Sequence, residues 1–355
     1  MRKAYLIFPL LLGCLLCPRE WSTAPAQSTQ ENDQKEKPFT LEVDVDLVNV
    51  SVGVMDSFGK YLLNLKKDDF KVFEDKVEQK ITNFSPVDAP FCIGLILDTS
   101  YSTVNKLGKI QDEAILFTQQ IHPDDEVMVV SFDDTVHLET DFTQNRHAVE
   151  RAIKMTRTGQ STQLYEAVYL ALHDKLRKKR ERKAMVLFTD GVDTSSPTSS
   201  AHETIEEAKE ADTIIFPIFF DTRRDVLQSS RTTSPIPRTG GGPSLPLPSP
   251  FPRIDPQSPT QRQGDDERIN MEYLQGRHYL QDLANATGGT LYVAEGVDSL
   301  GDVFAQIAAE LRSLYALGYV SSNQKKDGKF RKISVTVNLP NATVKAKKGY
   351  LAKKG

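Results

Sequence analysis

The sequence predicts a doubly wound, mostly parallel six-stranded α/β domain inserted into a small β-sandwich-like domain that both chain ends form. Three observations lead to this prediction. Residues 91–97 are continuously apolar, as expected of a strand covered on both faces. Strands and amphipathic helices then alternate as far as residue 312, which is the pattern of a doubly wound sheet. Residues 39–89 and 313–355 have strand-like patterns, but neither segment has enough strands for a core of its own.

The elements of the α/β domain follow one another in a regular order. After residues 91–97 the apolar runs predict strands over Val127–Phe132, Val136–Phe142, Ala184–Thr189, Ile214–Phe220 and Thr290–Val293. Helical spacing of apolar residues predicts helices over Lys109–Ile121, Arg146–Met155, Tyr165–Lys178, Ala201–Ala211, Ile269–Ala286 and Leu300–Arg312. The turn before Val136 is too short for a crossover, so that strand is expected to pair antiparallel at the sheet edge.

The two flanks predict the smaller domain. Apolar residues alternate along residues 41–47 and continue in the opposite phase along 48–54, which indicates a bulge. Residues 70–84 read as a hairpin, and the C-terminal segment from residue 314 contains three further strand-like runs. One β domain built from both ends is the economical interpretation, because close termini make domain insertion feasible. Two separate β appendages are the alternative.

A long insertion interrupts the α/β pattern. Residues 222–265 are dense in Pro, Ser, Gly and Arg and include the run TGGGPSLPLPSPFP. This composition predicts disorder, because it offers little apolar surface to bury. The insertion follows the strand that ends at Phe220, so it leaves the sheet at the carboxyl end of that strand.

The N-terminus predicts export, to the periplasm or the exterior. A basic start precedes an apolar stretch, Tyr5–Cys17, which is too short to span a membrane and is typical of a signal peptide. Ala24-Pro25-Ala26 is a suitable cleavage site, so residues 1–26 are predicted to be the signal peptide and residues 27–38 a flexible lead-in. No later apolar run reaches about 18 residues, so no transmembrane segment is expected in the mature chain.

A lipid anchor is the competing outcome at the N-terminus. Leu11-Leu12-Gly13-Cys14 resembles a bacterial lipobox, although Leu12 is a poor fit at its position. A chain cut after Ala26 retains only Cys92, which lies in an apolar strand and is expected to behave as a small buried hydrophobe.

Composition and motifs narrow the function classes. The net charge of −4 argues against nucleic acid as the partner. The six histidines are scattered, and the sequence contains no H-E-x-x-H, Walker loop, G-x-S-x-G or cysteine-based metal pattern. We therefore expect that the protein is not an enzyme. The basic run Lys175–Lys183 reads as the exposed end of a helix, and Asp133, Asp134 and Asp141, which flank the edge hairpin, read as solvated turn carboxylates and not as a second ion site.

Oxygen-bearing side chains follow the strands of the predicted sheet. Asp98, Ser100 and Ser102 alternate directly after the apolar strand, and Asp190 ends a second strand in the same way. Thr162 stands on a third loop, just before a helix. Ligands of open α/β sheets bind at the carboxyl ends of the strands, and hydroxyls with few carboxylates suit Mg²⁺ or Mn²⁺. These five residues are therefore the candidate metal ligands.

Three motifs together resemble the metal-ion-dependent adhesion site of von Willebrand factor type A domains. They are D-x-S-x-S at Asp98–Ser102, Thr162 in G-x-x-T-x-L-Y-E-A, and Thr189-Asp190-Gly191. The resemblance covers roughly residues 90 to 312 and implies a Rossmann-like fold with strand order 3-2-1-4-5-6. It also implies that the two serines and the threonine coordinate the metal directly, while the aspartates act mostly through water and hydrogen bonds.

The flanking segments resemble secreted bacterial proteins described as VWFA-related. For the site, the resemblance implies that an acidic group of a protein partner completes the metal's coordination. We therefore expect a secreted module that binds a divalent cation and captures an Asp or Glu carboxylate of a protein. The rival hypothesis is a structural scaffold with a vestigial metal site that recognises partners through its Pro-rich insertion. A metal-dependent hydrolase is the third, less favoured hypothesis.

Overall fold

The computed structural model describes residues 47–232 and 259–354. Its strands are β1 Leu47–Met55, β2 Phe70–Glu74, β3 Val77–Gln79, β4 Ile81–Ser85, β5 Phe91–Asp98, β6 Glu126–Phe132, β7 Val136–Thr143, β8 Arg182–Thr189, β9 Thr213–Phe220, β10 Tyr292–Ala294, β11 Leu314–Val320, β12 Phe330–Val337, β13 Thr343–Ala346 and β14 Gly349–Leu351. Its helices are α1 Leu107–Gln120, α2 Arg146–Met155, α3 Leu164–Leu170, α4 Ala201–Glu210, α5 Arg223–Thr232, α6 Pro259–Thr287 and α7 Leu300–Leu311.

Several sequence predictions concern residues outside this description. They are the signal peptide over 1–26, the lead-in over 27–38, the lipid anchor at Cys14, the first strand residues before Leu47 and the middle of the insertion. These remain predictions.

A six-stranded sheet forms the centre of the α/β domain. Its strand order is β10-β9-β8-β5-β6-β7, and every neighbouring pair is parallel except β6 and β7. Numbered along this domain alone, the order is 3-2-1-4-5-6, as the family resemblance implies, and the antiparallel edge strand is the one expected from its short turn. One apolar cluster fills each face, and all eight residues of β5 are buried.

Both chain ends build the second domain, as predicted. One four-stranded sheet has the order β13-β1-β11-β4 and the other the order β14-β12-β2-β3, so each sheet combines strands from before and after the α/β domain. Side chains of the two sheets share one apolar core, which includes Val50, Val72, Leu317 and Ile333. Neither end of the chain could bury these side chains alone, so the flanks depend on each other.

Two helices extend into the ends of the Pro/Ser-rich segment, which the sequence did not predict. Helix α5 begins at Arg223, and α6 begins at Pro259 instead of Ile269. Proline is favoured at the first helical position, and pairs four residues apart such as Arg268 and Glu272 support an exposed helix with little apolar content. Within the described ranges, no helix combines the length and the apolar character needed to cross a membrane.

A buried polar cluster joins the two domains. Lys183 forms an ion pair with Asp212 in the α/β domain, and Asn49 of β1 donates a 2.9 Å hydrogen bond to the same carboxylate. Lys347, 6% exposed, follows β13 and lies near both charges, with its ammonium 5.9 Å from the ring centre of Tyr350. Burial lowers the pKa of Lys347 to about 8, against the opposing effect of Asp212.

Because the pKa of Lys347 is lowered in the fold, the free energy of unfolding is expected to rise with pH. In the unfolded chain Lys347 keeps its proton up to about pH 10.5, so above pH 8 the unfolded state binds more protons and each increase in pH favours the fold. Between pH 7.5 and 9 the free energy of unfolding should rise by about 1 kcal/mol relative to Lys347→Met. Urea unfolding at several pH values measures this. The exposed neighbour provides the control, because Lys348→Met should retain the full rise. Equal pH dependence in all three proteins would contradict the prediction.

Candidate metal centre

The two predicted aspartates meet at one edge of the central sheet. β5 and β8 are adjacent and parallel, with Leu97 paired to Phe188, so the loops that follow them leave side by side. The hydroxyl of Thr189 joins the loops, because it donates a 2.6 Å hydrogen bond to Asp98 Oδ2 and accepts one of 3.0 Å from the amide of Gly191. The strand register thus places Asp98 and Asp190 at the same rim.

The loop after β5 is folded around the carboxylate of Asp98. The amide of Ser100 donates a 2.9 Å hydrogen bond to Asp98 Oδ1, and a short helical turn follows over Tyr101–Thr103. This turn brings the Oγ atoms of Ser100 and Ser102 to 3.1 Å from each other. Ser102 Oγ also donates a 2.9 Å hydrogen bond to Asp190 Oδ2. Four of the five predicted ligands therefore form one connected set.

Thr162 lies on a neighbouring loop that is held from two sides. Its amide donates to Thr194 Oγ1 at 2.8 Å, and its carbonyl accepts from the amides of Thr194 and Ser195. The start of the loop is tied to the strand end, because the amide of Gly159 donates to the carbonyl of Thr99 at 3.1 Å. Among the described residues, no hydrogen bond joins the Thr162 side chain to the other four. It stays a predicted ligand beside the connected set.

Asp134 has a larger part in this arrangement than the sequence indicated. Its carboxylate accepts hydrogen bonds from the amides of Gln160 and Ser161 and from the Ser161 hydroxyl, at 2.6–3.1 Å. These contacts lower the pKa of Asp134, since they stabilise its charged form. Asp134 therefore fixes the loop that carries Thr162 while its own side chain stays exposed, as predicted for a turn carboxylate. The neighbouring Asp133 is only 7% exposed, so the prediction of a solvated carboxylate is wrong there; the Thr162 loop packs against it, and the amide of Gln163 donates to its carbonyl at 3.0 Å.

Two negative charges are buried together at the rim. The exposed fraction is 0% for Asp98 and 4% for Asp190. Burial raises the pKa of Asp98, and the charge of Asp190 raises it further; burial likewise raises the pKa of Asp190. In the described part of the chain, their hydrogen-bond donors are hydroxyls and backbone amides, and no lysine or arginine pairs with either. Within the described residues, the site thus has two buried carboxyl groups whose charged forms lack a compensating cation.

The spacing of the oxygens suits a small divalent cation. Neighbouring ligands of an octahedral Mg²⁺ lie about 3 Å apart, since each sits about 2.1 Å from the ion. The Ser100–Ser102 and Ser102–Asp190 oxygen distances are 3.1 and 2.9 Å. Over the described ranges, no group of three or more His, Cys, Asp or Glu residues could hold a metal. An ion here would therefore depend on hydroxyl oxygens and on a ligand from outside.

Helix α6 passes directly over the Asp190 turn. Gly191 has φ +81°, and a Cβ atom on Gly276 would lie 2.5 Å from the carbonyl oxygen of Gly191. This close approach brings the Tyr273 hydroxyl to 3.2 Å from Asp190 Oδ2, and Thr222, which follows β9, donates to the same oxygen at 2.7 Å; neither residue was predicted from the sequence. The glycines at positions 191 and 276 were the available signal for this contact, but no local pattern in the sequence connects two positions so far apart.

Comparison with known proteins agrees with this fold. Residues 93–192 match the family model described as von Willebrand factor type A domain. This match confirms the resemblance of the α/β domain to von Willebrand factor type A domains. The matched range includes all five candidate ligands, namely Asp98, Ser100, Ser102, Thr162 and Asp190. No curated protein matches the sequence.

Solved structures that resemble parts of this chain come from diverse sources. A von Willebrand factor type A protein from Catenulispora acidiphila has 10% sequence identity and a TM-score of 0.44, over 88% of this chain and 64% of that one. BatB from Bacteroides thetaiotaomicron has 13% identity and a TM-score of 0.40, over 62% and 98%. Proximal thread matrix protein 1 from the mussel byssus, in a structure with a zinc-occupied MIDAS motif, has 12% identity and a TM-score of 0.42, over 67% and 49%. This chain thus spans about half of the mussel protein.

Proposed function

We propose that the protein is an exported protein-binding module that holds Mg²⁺ or Mn²⁺ at the rim of its α/β domain. Ser100, Ser102 and Thr162 would supply hydroxyl ligands, and Asp98 and Asp190 would act mainly through hydrogen bonds and water. One observation carries the proposal: Asp98 and Asp190 are buried side by side, joined through hydroxyls, with no basic partner among the described residues. A divalent cation would offset the cost of burying both charges.

The same chemistry favours an acidic protein ligand. Hydroxyl oxygens are neutral, so an ion held by them keeps most of its charge available to a further ligand. The loop that carries Ser100 and Ser102 reaches the protein surface, because Tyr101, between the two serines, is 53% exposed and Ser102 is half-buried. An Asp or Glu carboxylate of a partner protein would therefore bind the ion directly. The bound metal would supply Lewis-acid attraction for that carboxylate, and the described side chains would orient it. We propose binding without catalysis, and export through the predicted N-terminal signal.

Removal of a serine hydroxyl is expected to weaken metal binding. Ser100→Ala and Ser102→Ala should each raise the Kd for Mn²⁺ at least about tenfold, because each removes one oxygen of the set. Calorimetric titration measures the affinity, with and without N-acetylaspartate as a minimal carboxylate ligand. In the wild-type protein the carboxylate should tighten Mn²⁺ binding, since it completes the coordination of the ion.

Ser57→Ala is the matched control, because Ser57 is an exposed turn residue of the β domain. It should bind Mn²⁺ like the wild-type protein. Absence of saturable Mn²⁺ binding by the wild-type protein, even with the carboxylate present, would overturn the proposal and leave the scaffold hypothesis. Metal binding that survives both serine substitutions would place the ion elsewhere and would also overturn it.

A further inference from the structure

Asp190 receives hydroxyl groups from two residues outside the predicted ligand set. Its Oδ2 atom accepts from Thr222 Oγ1 at 2.7 Å and from Tyr273 OH at 3.2 Å, beside Ser102 at 2.9 Å. The Thr222 and Tyr273 oxygens are themselves 2.5 Å apart. Oδ1 accepts one bond, from the amide of Val192 at 3.1 Å. The carboxylate of Asp190 is therefore held through both oxygens, mostly by Oδ2.

The two hydroxyls come from elements that the sequence separates widely. Thr222 lies between β9 and α5, and Tyr273 lies in the middle of α6, so they stand on either side of the Pro/Ser-rich segment. Both residues are buried, with 0% of Thr222 and 4% of Tyr273 exposed. Buried hydroxyls need partners, and the two protons of this pair are shared among Asp190 Oδ2 and the contact between the two hydroxyls. Two residues on either side of the Pro/Ser-rich segment, Thr222 and Tyr273, therefore belong to the rim of the α/β domain.

The Thr222 and Tyr273 hydroxyls are neutral donors, which suits a carboxylate such as Asp190 beside a proposed cation site. A lysine or arginine would orient Asp190 equally well, but its charge would repel an incoming Mg²⁺ or Mn²⁺. Two hydroxyls orient the carboxylate and leave its negative charge in place. Hydrogen-bond partners of this kind fix the geometry of metal ligands and alter metal affinity.

We infer that Thr222 and Tyr273 are positioning residues of the metal site, which hold Asp190 in the orientation that metal binding requires. The inference rests on the proposed function. It adds to that function two residues whose hydroxyls, and not their bulk, are needed for full metal affinity. It also connects the two helices that flank the insertion to the ion through a single carboxylate.

Hydroxyl deletion tests this in the full-length protein. Tyr273→Phe and Thr222→Val should each raise the Kd for Mn²⁺ about tenfold in calorimetric titration. Thr222→Ser retains the hydroxyl and should restore the wild-type affinity. Tyr279→Phe is the matched control: Tyr279 lies on the same helix, is equally buried, and its hydroxyl contacts Thr204 at 2.9 Å instead of Asp190. It should leave the Kd unchanged.

Urea unfolding in EDTA separates positioning from general stability. We expect Tyr273→Phe and Tyr279→Phe to shift the urea midpoint by similar amounts without metal, while only Tyr273→Phe loses metal affinity. If the wild-type protein binds Mn²⁺ and Tyr273→Phe binds it equally well, this inference is wrong and the proposed function stands. If Tyr279→Phe loses as much affinity as Tyr273→Phe, the effect is one of stability and the inference is also wrong. If the wild-type protein binds no Mn²⁺, both fail together.

Discussion

Gly276→Ala is expected to destabilise the protein by about 2–3 kcal/mol, although alanine normally stabilises a helix relative to glycine by about 1 kcal/mol. The reason for the reversal is the contact with Gly191. A Cβ atom on Gly276 would lie 2.5–3.0 Å from backbone atoms of Gly191, and backbone cannot move aside as the end of a flexible side chain can. Helix α6 would have to shift away from the Asp190 turn. Urea unfolding of the purified variant measures the loss.

Gly108→Ala provides the contrasting result. Gly108 lies in α1, and no atom stands within 4 Å of the position that its Cβ would occupy. This substitution should therefore stabilise the protein by several tenths of a kcal/mol up to about 1 kcal/mol. Opposite signs for the two substitutions would identify the helix–turn contact as the cause. A stabilising effect of Gly276→Ala would show that α6 does not approach the turn as closely as described here.

The strands of the sheet could be predicted because their signals are local, whereas their order was implied by the resemblance to von Willebrand factor type A domains. Each buried strand is a short apolar run, and the tight turn before β7 excludes a crossover, so the antiparallel edge follows directly. The single β domain could also be inferred, because neither flank has enough strands to form a core alone. The extensions of α5 and α6 were missed, since exposed helices with few apolar residues resemble a polar linker in composition.

The candidate site could be predicted only in part. Asp98, Ser100 and Ser102 share one loop, and Asp190 ends the next strand in space, so strand-end reasoning brings these four together. Thr222 follows the end of β9, the strand beside β8, so the same reasoning could have reached it, but Tyr273 could not be found in this way. The position of Tyr273 depends on where α6 crosses the sheet edge, and that crossing involves a contact between two glycines that are distant in sequence.

The basic run Lys175–Lys183, whose last two residues begin β8, shows that sequence reasoning was equally limited at the domain interface. Read locally, Lys175–Lys183 is the exposed end of a helix, and Arg182 is one of several cations. In the structure Arg182 contacts four backbone carbonyls instead of carboxylates. Backbone acceptors have no sequence signature, so nothing in the run distinguishes Arg182 from its neighbours. Lys183, next to it, is equally unexpected, since it is 5% exposed and paired with Asp212.

Arg182→Met is expected to lower the free energy of unfolding by about 3 kcal/mol. The guanidinium donates hydrogen bonds to the carbonyls of Pro86, Val87 and Ala89, at 2.6–3.2 Å, and to that of Leu314. The first three precede β5 and the last begins β11, so one side chain holds both connections between the domains. Methionine replaces the aliphatic stem but leaves these carbonyls without their donor. Urea unfolding measures the loss.

Arg182→Lys and Arg180→Met complete the test. Lysine keeps the charge, but its single ammonium lacks the planar fork that reaches both connections and that lies 3.9 Å from the ring centre of Phe91, so it should restore less than half of the stability. Arg180 is exposed and belongs to the same basic run, so Arg180→Met should cost less than about 0.5 kcal/mol. Full rescue by lysine would show that charge alone matters. A loss no larger than that of Arg180→Met would show that the interface holds without Arg182, through β-domain packing and the Lys183–Asp212 pair.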